Sequence, residues 1–264
     1  MYHYLFNIAI HFEKRTGIMI ELKNITKKYT DFLAVDDLSF SIQQGEIFGF
    51  IGPNGAGKTT TIMMMGGILA PSSGFVSICG IRMDKDPKNA KSKTGFIPDR
   101  PYLYEKLTGM EFLKFVADLY NVNEKDFFRK VEELLAMFSL TEWPNELIES
   151  YSHGMKQRLI MASALLHDPE VIIVDEPTVG LDPAAIKLMK DLFRQLAKQG
   201  KTIFMSTHSL RVAEDICDRI GVIRKGTLIA TGTTEDLKRE AEVTEADLEK
   251  VFLTLTSEGL FDNN

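Results

Sequence analysis

The stretch GPNGAGKT at residues 52–59 has the residue types and spacing of a phosphate-binding loop, G-x-x-x-x-G-K-[ST]. Its glycines allow backbone N–H groups to surround a phosphate, and the positive N-terminus of a following helix adds to the attraction. Lys58 would then bridge the β- and γ-phosphates, and the Thr59 hydroxyl would bind Mg²⁺. A flexible turn without a ligand is the alternative, but a strand-like segment precedes the loop and a helix-like one follows it. The stretch predicts a nucleoside triphosphate site formed by Gly52, Pro53, Asn54, Gly55, Ala56, Gly57, Lys58 and Thr59.

Two adjacent carboxylates, Asp175 and Glu176, follow the aliphatic run VIIV at residues 171–174. Such a run is typical of a strand buried on both faces, where an ionised group is costly unless a partner compensates its charge. A buried strand that ends in Asp often accompanies a phosphate-binding loop, because the carboxylate orients Mg²⁺. We expect Asp175 to serve the metal. Glu176, on the other side of an extended chain, would orient or deprotonate a water that attacks the γ-phosphate. Two solvent-exposed caps of the next turn are the alternative.

These residues need elements that bring the loop and the two carboxylates together. The first third of the chain alternates short apolar runs with turn residues, which predicts strands. After about residue 100 apolar residues recur at helical spacing, and beyond residue 170 strand-like and helix-like segments alternate. That alternation predicts an α/β fold in which parallel βαβ units carry a helical insertion of roughly 100–165. The predicted strands are 20–25, 38–42, 46–52, 74–80, 171–174, 202–206 and 219–224, and the predicted helices are 109–120, 124–138, 151–166, 184–198 and 210–217.

The composition of the 264 residues, 44% hydrophobic and 26% charged, is that of a globular protein. The formal net charge of −6 argues against a nucleic-acid partner, because broad nucleic-acid binding favours a basic surface. The longest apolar stretches, such as LIMASALL at 159–166, are far shorter than the roughly 20 residues that cross a bilayer. We predict an N-terminal extension over 1–18, a main domain over 19–240 and a C-terminal helix and tail over 241–264, with Met19 as an alternative start of translation.

Together the motifs resemble the ATP-binding subunit of an ABC transporter, and the resemblance covers roughly residues 19–256. It implies a P-loop NTPase core with a mostly parallel sheet, an N-terminal antiparallel β subdomain and an inserted α-helical subdomain. It also implies that Tyr29, in ITKKYTDF, stacks on the adenine of ATP and that Thr60 is a further phosphate contact.

The family signature, usually Leu-Ser-Gly-Gly-Gln, resembles YSHGM at residues 151–155, where His153 and Met155 depart from the pattern. The resemblance implies that Ser152 and Gly154, at the start of a helix, bind the γ-phosphate of a nucleotide held by another subunit. Without the other motifs, YSHGM would indicate only a helix cap.

Three further side chains receive roles from the resemblance. Asp182, in GLDP, matches the carboxylate of the loop that links two active sites, and His208, in MSTHSL, matches the switch histidine that contacts the γ-phosphate. Asp99, after the strand-like TGFI, stands where the family usually carries Gln. A carboxylate can approach Mg²⁺ but cannot donate a hydrogen bond as an amide does. We therefore expect Asp99 to keep a role at the metal.

The resemblance implies an ATPase in which this chain and a second nucleotide-binding subunit, identical or homologous, face each other head to tail with two ATP molecules between them. ATP would close the pair and hydrolysis would open it, driving substrate movement through a transmembrane permease subunit on a separate chain. The run PYLYEKLTGMEFLKF would form part of the groove for that permease. The segments YSHGMKQR and FIPDRPYLYEKLTG resemble bacterial export-type systems more than solute importers. The expected location is cytoplasmic, on the inner face of the cell membrane through the permease partner. Two alternatives stay open: a soluble ABC-type ATPase of DNA repair or translation, and a low-turnover nucleotide-dependent scaffold of a membrane complex.

Overall fold

The computed structural model describes residues 17–100, 102–241 and 248–257. Its strands are β1 (Ile18–Tyr29), β2 (Phe32–Gln43), β3 (Ile47–Ile51), β4 (Ser73–Ile78), β5 (Ile81–Arg82), β6 (Thr94–Ile97), β7 (Val171–Asp175), β8 (Thr202–Thr207), β9 (Arg219–Arg224) and β10 (Thr227–Gly232). Its helices are α1 (Lys58–Met65), α2 (Pro87–Ser92), α3 (Gly109–Leu119), α4 (Glu124–Met137), α5 (His153–Leu165), α6 (Pro183–Lys198), α7 (Leu210–Ile216), α8 (Thr234–Glu240) and α9 (Leu248–Ser257). Among these residues, no helix combines the length and apolar character that crossing a membrane requires.

Two sheets form the frame of the molecule. The N-terminal sheet, in the order β2-β1-β4-β5, is antiparallel throughout. The second sheet, in the order β10-β9-β3-β8-β7-β6, is parallel except where β9 pairs with β10. Helices α3, α4 and α5 are inserted between β6 and β7. The predicted fold class is confirmed, and the carboxyl ends of β3, β8 and β7 meet at one edge, where ligands of such sheets bind.

Strand β7 is buried on both faces, as the run VIIVD predicts. Ile172 and Val174 belong to the apolar cluster that includes the inserted helices, whereas Val171 and Ile173 belong to the cluster that includes the N-terminal sheet. Each face of the strand therefore packs against a different layer of the molecule. Asp175, the last residue of β7, is the first ionisable group on this strand, and it stands at the carboxyl edge.

Each helix of the insertion begins at a side chain that accepts a backbone N–H of the first turn. Thr108 caps α3, Asn123 caps α4, and the Ser152 hydroxyl caps α5 by accepting the N–H of Met155 at 3.2 Å. Such caps satisfy N–H groups that have no partner inside the helix. The five predicted helices agree with the observed ones to within two residues at each end.

Several elements of the structure have no counterpart in the sequence prediction, namely β5, β10, α2 and α8. Strand β10 follows β9 through the turn Lys225–Gly226, in which both residues have positive φ. In the C-terminal segment, Leu248 and Val251 of α9 are buried in the cluster that includes α7. The domain boundaries near residues 18 and 240 stay predictions, and residues 1–16, 101, 242–247 and 258–264 lie outside the described residues.

Candidate functional site

Close backbone approaches explain two glycines of the loop between β3 and α1. A Cβ on Gly52 would overlap the carbonyl oxygen of Ile223 on β9. A Cβ on Gly57 would lie 2.6 Å from the carbonyl oxygen of Ala34 on β2, and the φ of Gly57 is +107°. Glycine tolerates both the contact and the positive φ. The loop is thus clamped between β9 and β2, and the protein itself fixes its path.

Lys58 is held within this loop by its neighbours. Its Nζ donates to the carbonyl oxygens of Gly52, at 2.7 Å, and Pro53, at 3.2 Å. Burial lowers the pKa of the Lys58 ammonium, while the carboxylates of Glu176 and Asp175 oppose that shift. Helix α1 begins here without a side-chain cap, so the N–H groups of its first turn keep their capacity to bind an anion.

Asp175 combines burial with a cluster of negative charge. It is 5% exposed and accepts a hydrogen bond from the Ser206 hydroxyl on β8. Burial raises the pKa of the Asp175 carboxyl, the bond from Ser206 opposes this, and the charges of Asp99 and Glu176 raise the pKa further. A bound cation would reverse these effects and hold the carboxylate in its charged form.

The chain is not extended at Glu176, so the expectation that Asp175 and Glu176 point to opposite sides is wrong. Glu176 has a φ of +47°, and its N–H donates to the carbonyl oxygen of Ser206 at 3.0 Å. This bend places both carboxylates on the wall of one cleft. A non-glycine residue in the left-handed region costs about 1–3 kcal/mol, a strain that is typical of functional sites.

One cleft of about 410 Å³ brings five separate segments of the chain together at the carboxyl edge of the parallel sheet. It joins the phosphate-binding loop to the start of β2, to the end of β7 with Glu176, and to residues that follow β6 and β8. Its lining consists of Phe32, Ala34, Asn54, Gly55, Gly57, Lys58, Thr59, Thr60, Asp99, Asp175, Glu176 and His208.

His208 contacts Glu176 directly. Its Nδ1 lies 2.8 Å from Glu176 Oε2, and its backbone N–H donates to the same oxygen at 3.2 Å. Two contacts to one oxygen fix the carboxylate of Glu176 at the mouth of the cleft. The predicted contact between His208 and a γ-phosphate stays a prediction.

The cleft fits Mg²⁺ that arrives with a triphosphate. Thr59, Asp99 and Asp175 offer hard oxygen ligands on its wall. In the part of the chain that the structure describes, no three His, Cys, Asp or Glu side chains are grouped closely enough to hold a metal by themselves. Mg²⁺ commonly takes only one or two carboxylates and completes its octahedron with phosphate oxygens and water. The residues present match that requirement.

A family model described as "ABC transporter" matches residues 35–179, which is more than half of the chain. The chain belongs to the ABC transporter family. It is 43% identical over 219 residues to the uncharacterized ABC transporter ATP-binding protein YhcH of Bacillus subtilis (strain 168), covering 83% of this chain and 71% of YhcH. It is 40% identical to the linearmycin resistance ATP-binding protein LnrL of the same organism, covering 83% of this chain and 70% of LnrL. It is therefore an ATP-binding subunit with ATPase activity.

Solved structures agree with this assignment. An ATP-binding subunit of an ABC transporter superposes with a TM-score of 0.86 at 34% identity, covering 90% of this chain and 99% of that one. The ATP-binding cassette MJ0796, described as a dimer in a post-hydrolysis state with ADP and Pi, superposes with a TM-score of 0.73 at 28% identity, covering 81% and 98%.

The signature residues of this chain and the carboxylate of GLDP lie apart from its own cleft. Ser152, Gly154 and Asp182 are not among the lining residues of the cleft. Ser152 is exposed at the start of α5, and Asp182 is exposed at the start of α6, where its Oδ1 accepts the N–H of Ala185 at 2.8 Å. Their predicted roles toward a second subunit stay predictions.

The aromatic residue on the wall of the cleft is Phe32, which the sequence patterns did not single out. Tyr29, predicted to stack on adenine, is exposed and pairs with Phe32 across the tight β1–β2 turn. Lys27 Nζ lies 5.2 Å from the centre of the Tyr29 ring. The only sequence signal for Phe32 is its place in YTDF, because a two-residue turn sets it opposite Tyr29.

Proposed function

We propose that this chain is the motor subunit of an exporter, hydrolysing Mg-ATP between two head-to-tail nucleotide-binding subunits to move substrate through a separate permease. The observation that carries the proposal is the convergence of Lys58, Asp175 and Glu176 in one cleft with the glycine loop. A cation for phosphates, a carboxylate for metal and a carboxylate for water are the parts that phosphoryl transfer to water needs.

The residues of the cleft have separate roles in ATP hydrolysis. The backbone from Gly52 to Thr60 and the Lys58 ammonium would hold the phosphates, and Thr59, Asp99 and Asp175 would hold Mg²⁺. The metal would supply charge that stabilises the leaving phosphate oxygens. Glu176 would orient an attacking water or accept its proton, and His208, which contacts the Glu176 carboxylate, would also contact the γ-phosphate.

The second half of each site belongs to another subunit. Ser152 is exposed and Gly154 is half-buried at the N-terminus of α5, where backbone N–H groups and the helix dipole attract an anion. A γ-phosphate held by the phosphate-binding loop of the partner subunit would bind these N–H groups of α5. Asp182 would lie at the same interface. Hydrolysis removes the γ-phosphate, and the remaining nucleotide no longer favours the closed pair of subunits over the open one, as a switch requires. The dimeric cassette MJ0796 supports this arrangement.

Relatives support the export direction. LnrL is described by resistance to linearmycin, and a relative in Burkholderia lata, 38% identical over 218 residues, is described as a Nod factor export ATP-binding protein. The expected location is the inner face of the cell membrane, through the permease.

An exposed aromatic surface is the proposed contact with the permease. Tyr102 is 79% exposed and Tyr104 62% exposed, and Phe115 and Leu119 of α3 are also exposed. The Tyr104 and Phe115 rings meet edge to face with centroids 5.7 Å apart. Apolar side chains grouped on the surface in this way mark interaction sites. This exposed aromatic surface supports the prediction that the run PYLYEKLTGMEFLKF contributes to the permease contact.

Affinity purification of the tagged chain from gently solubilised cells tests the proposal, with mass spectrometry of what accompanies it. A stoichiometric multi-spanning protein is expected, and Tyr104→Asp should lower its recovery about tenfold, as loss of an aromatic anchor does. Phe128→Asp is the matched control, because Phe128 is 61% exposed and likewise meets a phenylalanine edge to face. Ribosomal or DNA-repair factors in place of a membrane protein would favour the soluble alternative. A purified complex that contains a permease but hydrolyses no ATP would favour the low-turnover scaffold of a membrane complex.

A further inference from the structure

The histidine in the signature YSHGM has a specific contact within the chain. The His153 ring lies against the backbone of Gly180, so that a Cβ built on Gly180 would come within 2.6 Å of His153 Nε2. By contrast, a Cβ on Gly154, the next residue of the signature, would meet nothing within 4 Å. The space over Gly180 is therefore filled by a side chain that the usual signature, with glycine at this position, does not have.

Gly180 belongs to the short segment between Glu176 and Asp182, the cap of α6. Two tight turns form this segment. The Val179 N–H donates to the carbonyl oxygen of Glu176 at 3.2 Å, and the Leu181 N–H donates to the carbonyl oxygen of Thr178 at 3.3 Å. Gly180 itself has a φ of +76°. The two turns share Thr178 and Val179, and the first of them begins at Glu176.

We propose that His153 is a positioning residue for ATP hydrolysis. Its ring packs on Gly180 and thereby sets the 177–181 turn, and with it the Glu176 carboxylate, relative to the N-terminus of α5. This inference rests on the proposed function, in which α5 contacts the γ-phosphate held by the partner subunit. Within one subunit, the contact of His153 with Gly180 links α5 to Glu176. Helix α5 binds the nucleotide of the partner's site, and Glu176 acts in the subunit's own site.

A double-mutant cycle with His153→Ala and Gly180→Ala tests the contact. His153→Ala removes the ring, and Gly180→Ala displaces it. Each should lower kcat about tenfold, because small displacements of a catalytic group are costly. The affinity of the isolated subunit for ATP should stay within about twofold, because the cleft is untouched. If the ring acts through Gly180, the double variant should be no slower than the slower single variant.

Two further variants separate the contact from general damage. Gly80→Ala matches the backbone strain of Gly180→Ala, because Gly80 has a φ of +77° and a Cβ there would meet nothing within 4 Å. It should leave kcat near that of the wild type. His153→Phe keeps a planar ring without ring nitrogens and should restore most of the kcat that His153→Ala loses.

Additive losses of kcat in the double variant would overturn the proposal, as would a His153→Phe enzyme as slow as His153→Ala. Failure of the proposed function gives a different pattern. If Glu176→Gln turns over like the wild type, the assignment of the hydrolytic site is wrong. If Glu176→Gln is inactive while His153→Ala keeps full kcat, only the role of His153 is wrong.

Discussion

Two helix N-termini of this molecule are suited to phosphate, and they are built differently. Helix α1 begins at Gly57 with no side-chain cap, and Lys58 is held in the loop by backbone carbonyls. Helix α5 begins at Ser152, whose own hydroxyl accepts a backbone N–H of the first turn. The lysine nearest to that end, Lys156, is paired with Glu105. The α1 end lies in a cleft that Asp175 and Glu176 also line, whereas the α5 end lies outside that cleft, with Ser152 exposed.

The two helix ends are therefore suited to different tasks, one to binding the nucleotide and the other to responding to a partner subunit. The α1 end offers uncapped N–H groups and a cation, so it can bind a phosphate within one chain. At the α5 end the Ser152 hydroxyl already accepts a backbone N–H of the first turn, and the Lys156 ammonium is paired with Glu105. We expect α1 to set nucleotide affinity and α5 to act only when a partner subunit brings a phosphate to it.

Glu176→Gln should have the largest effect, because it removes the base and leaves the α1 end intact. We expect kcat to fall about 100- to 10,000-fold, the range of a positioned general base. Affinity for Mg-ATP should be unchanged, because the phosphate-binding loop is not altered. Turnover by phosphate release and binding by fluorescent-nucleotide titration measure the two quantities, and a closed dimer should accumulate in size-exclusion chromatography with ATP. Normal turnover in this variant would remove Glu176 from the mechanism.

Lys58→Ala should weaken ATP binding about 100-fold, because one charge-assisted contact to phosphate is worth about 1.5–3 kcal/mol. Lys156→Ala is the matched control from the α5 end and should leave the affinity of the isolated subunit within about twofold, because Lys156 does not line the cleft. Calorimetric titration with Mg-ATP measures both variants. Equal losses from the two lysines would contradict the contrast between the helix ends.

The α1 end was predictable from the sequence, and much of the α5 end was not. The spacing of residues within short segments predicts the phosphate-binding loop and the two carboxylates. The aliphatic residues of VIIVD predict that this strand is buried on both faces. The left-handed bend at Glu176 depends on a hydrogen bond to β8. The contact of His153 with Gly180 joins residues far apart in the sequence. Phe32 reaches the cleft because β2 packs beside the loop, and no pattern within YTDF records that packing.

Ser152→Ala should act on the α5 end alone. Loss of the cap should lower the free energy of unfolding by about 1 kcal/mol. It should also lower kcat about fivefold, with the ATP affinity of the isolated subunit unchanged, because a charge-assisted hydrogen bond to the partner's phosphate is lost. Asn123→Ala removes the corresponding cap of α4, where the side chain accepts the N–H of Asp126 at 2.9 Å. Chemical denaturation should give similar losses of stability for both variants, and only Ser152→Ala should slow hydrolysis. An equal kcat for the two would place Ser152 outside the site.

The smallest effects concern one buried polar side chain in each helix. Thr61 of α1 is 0% exposed and its hydroxyl donates to the carbonyl oxygen of Gly57 at 2.9 Å. Gln157 of α5 is also 0% exposed, and neither its amide nitrogen nor its oxygen has a hydrogen-bond partner among the described residues. Burying an unpaired amide is costly, so Gln157→Met, which nearly preserves the volume, should raise the free energy of unfolding by about 1 kcal/mol.

Thr61→Val is the matched change in α1 and should lower the free energy of unfolding by about 1 kcal/mol, because it removes a satisfied hydrogen bond without leaving a cavity. Urea denaturation of both variants measures the opposite signs. A loss of stability in Gln157→Met as large as that in Thr61→Val would mean that the Gln157 amide is paired in solution. The α5 helix would then be as fully satisfied in the isolated subunit as α1, and the difference between the two helices would be confined to their first turns.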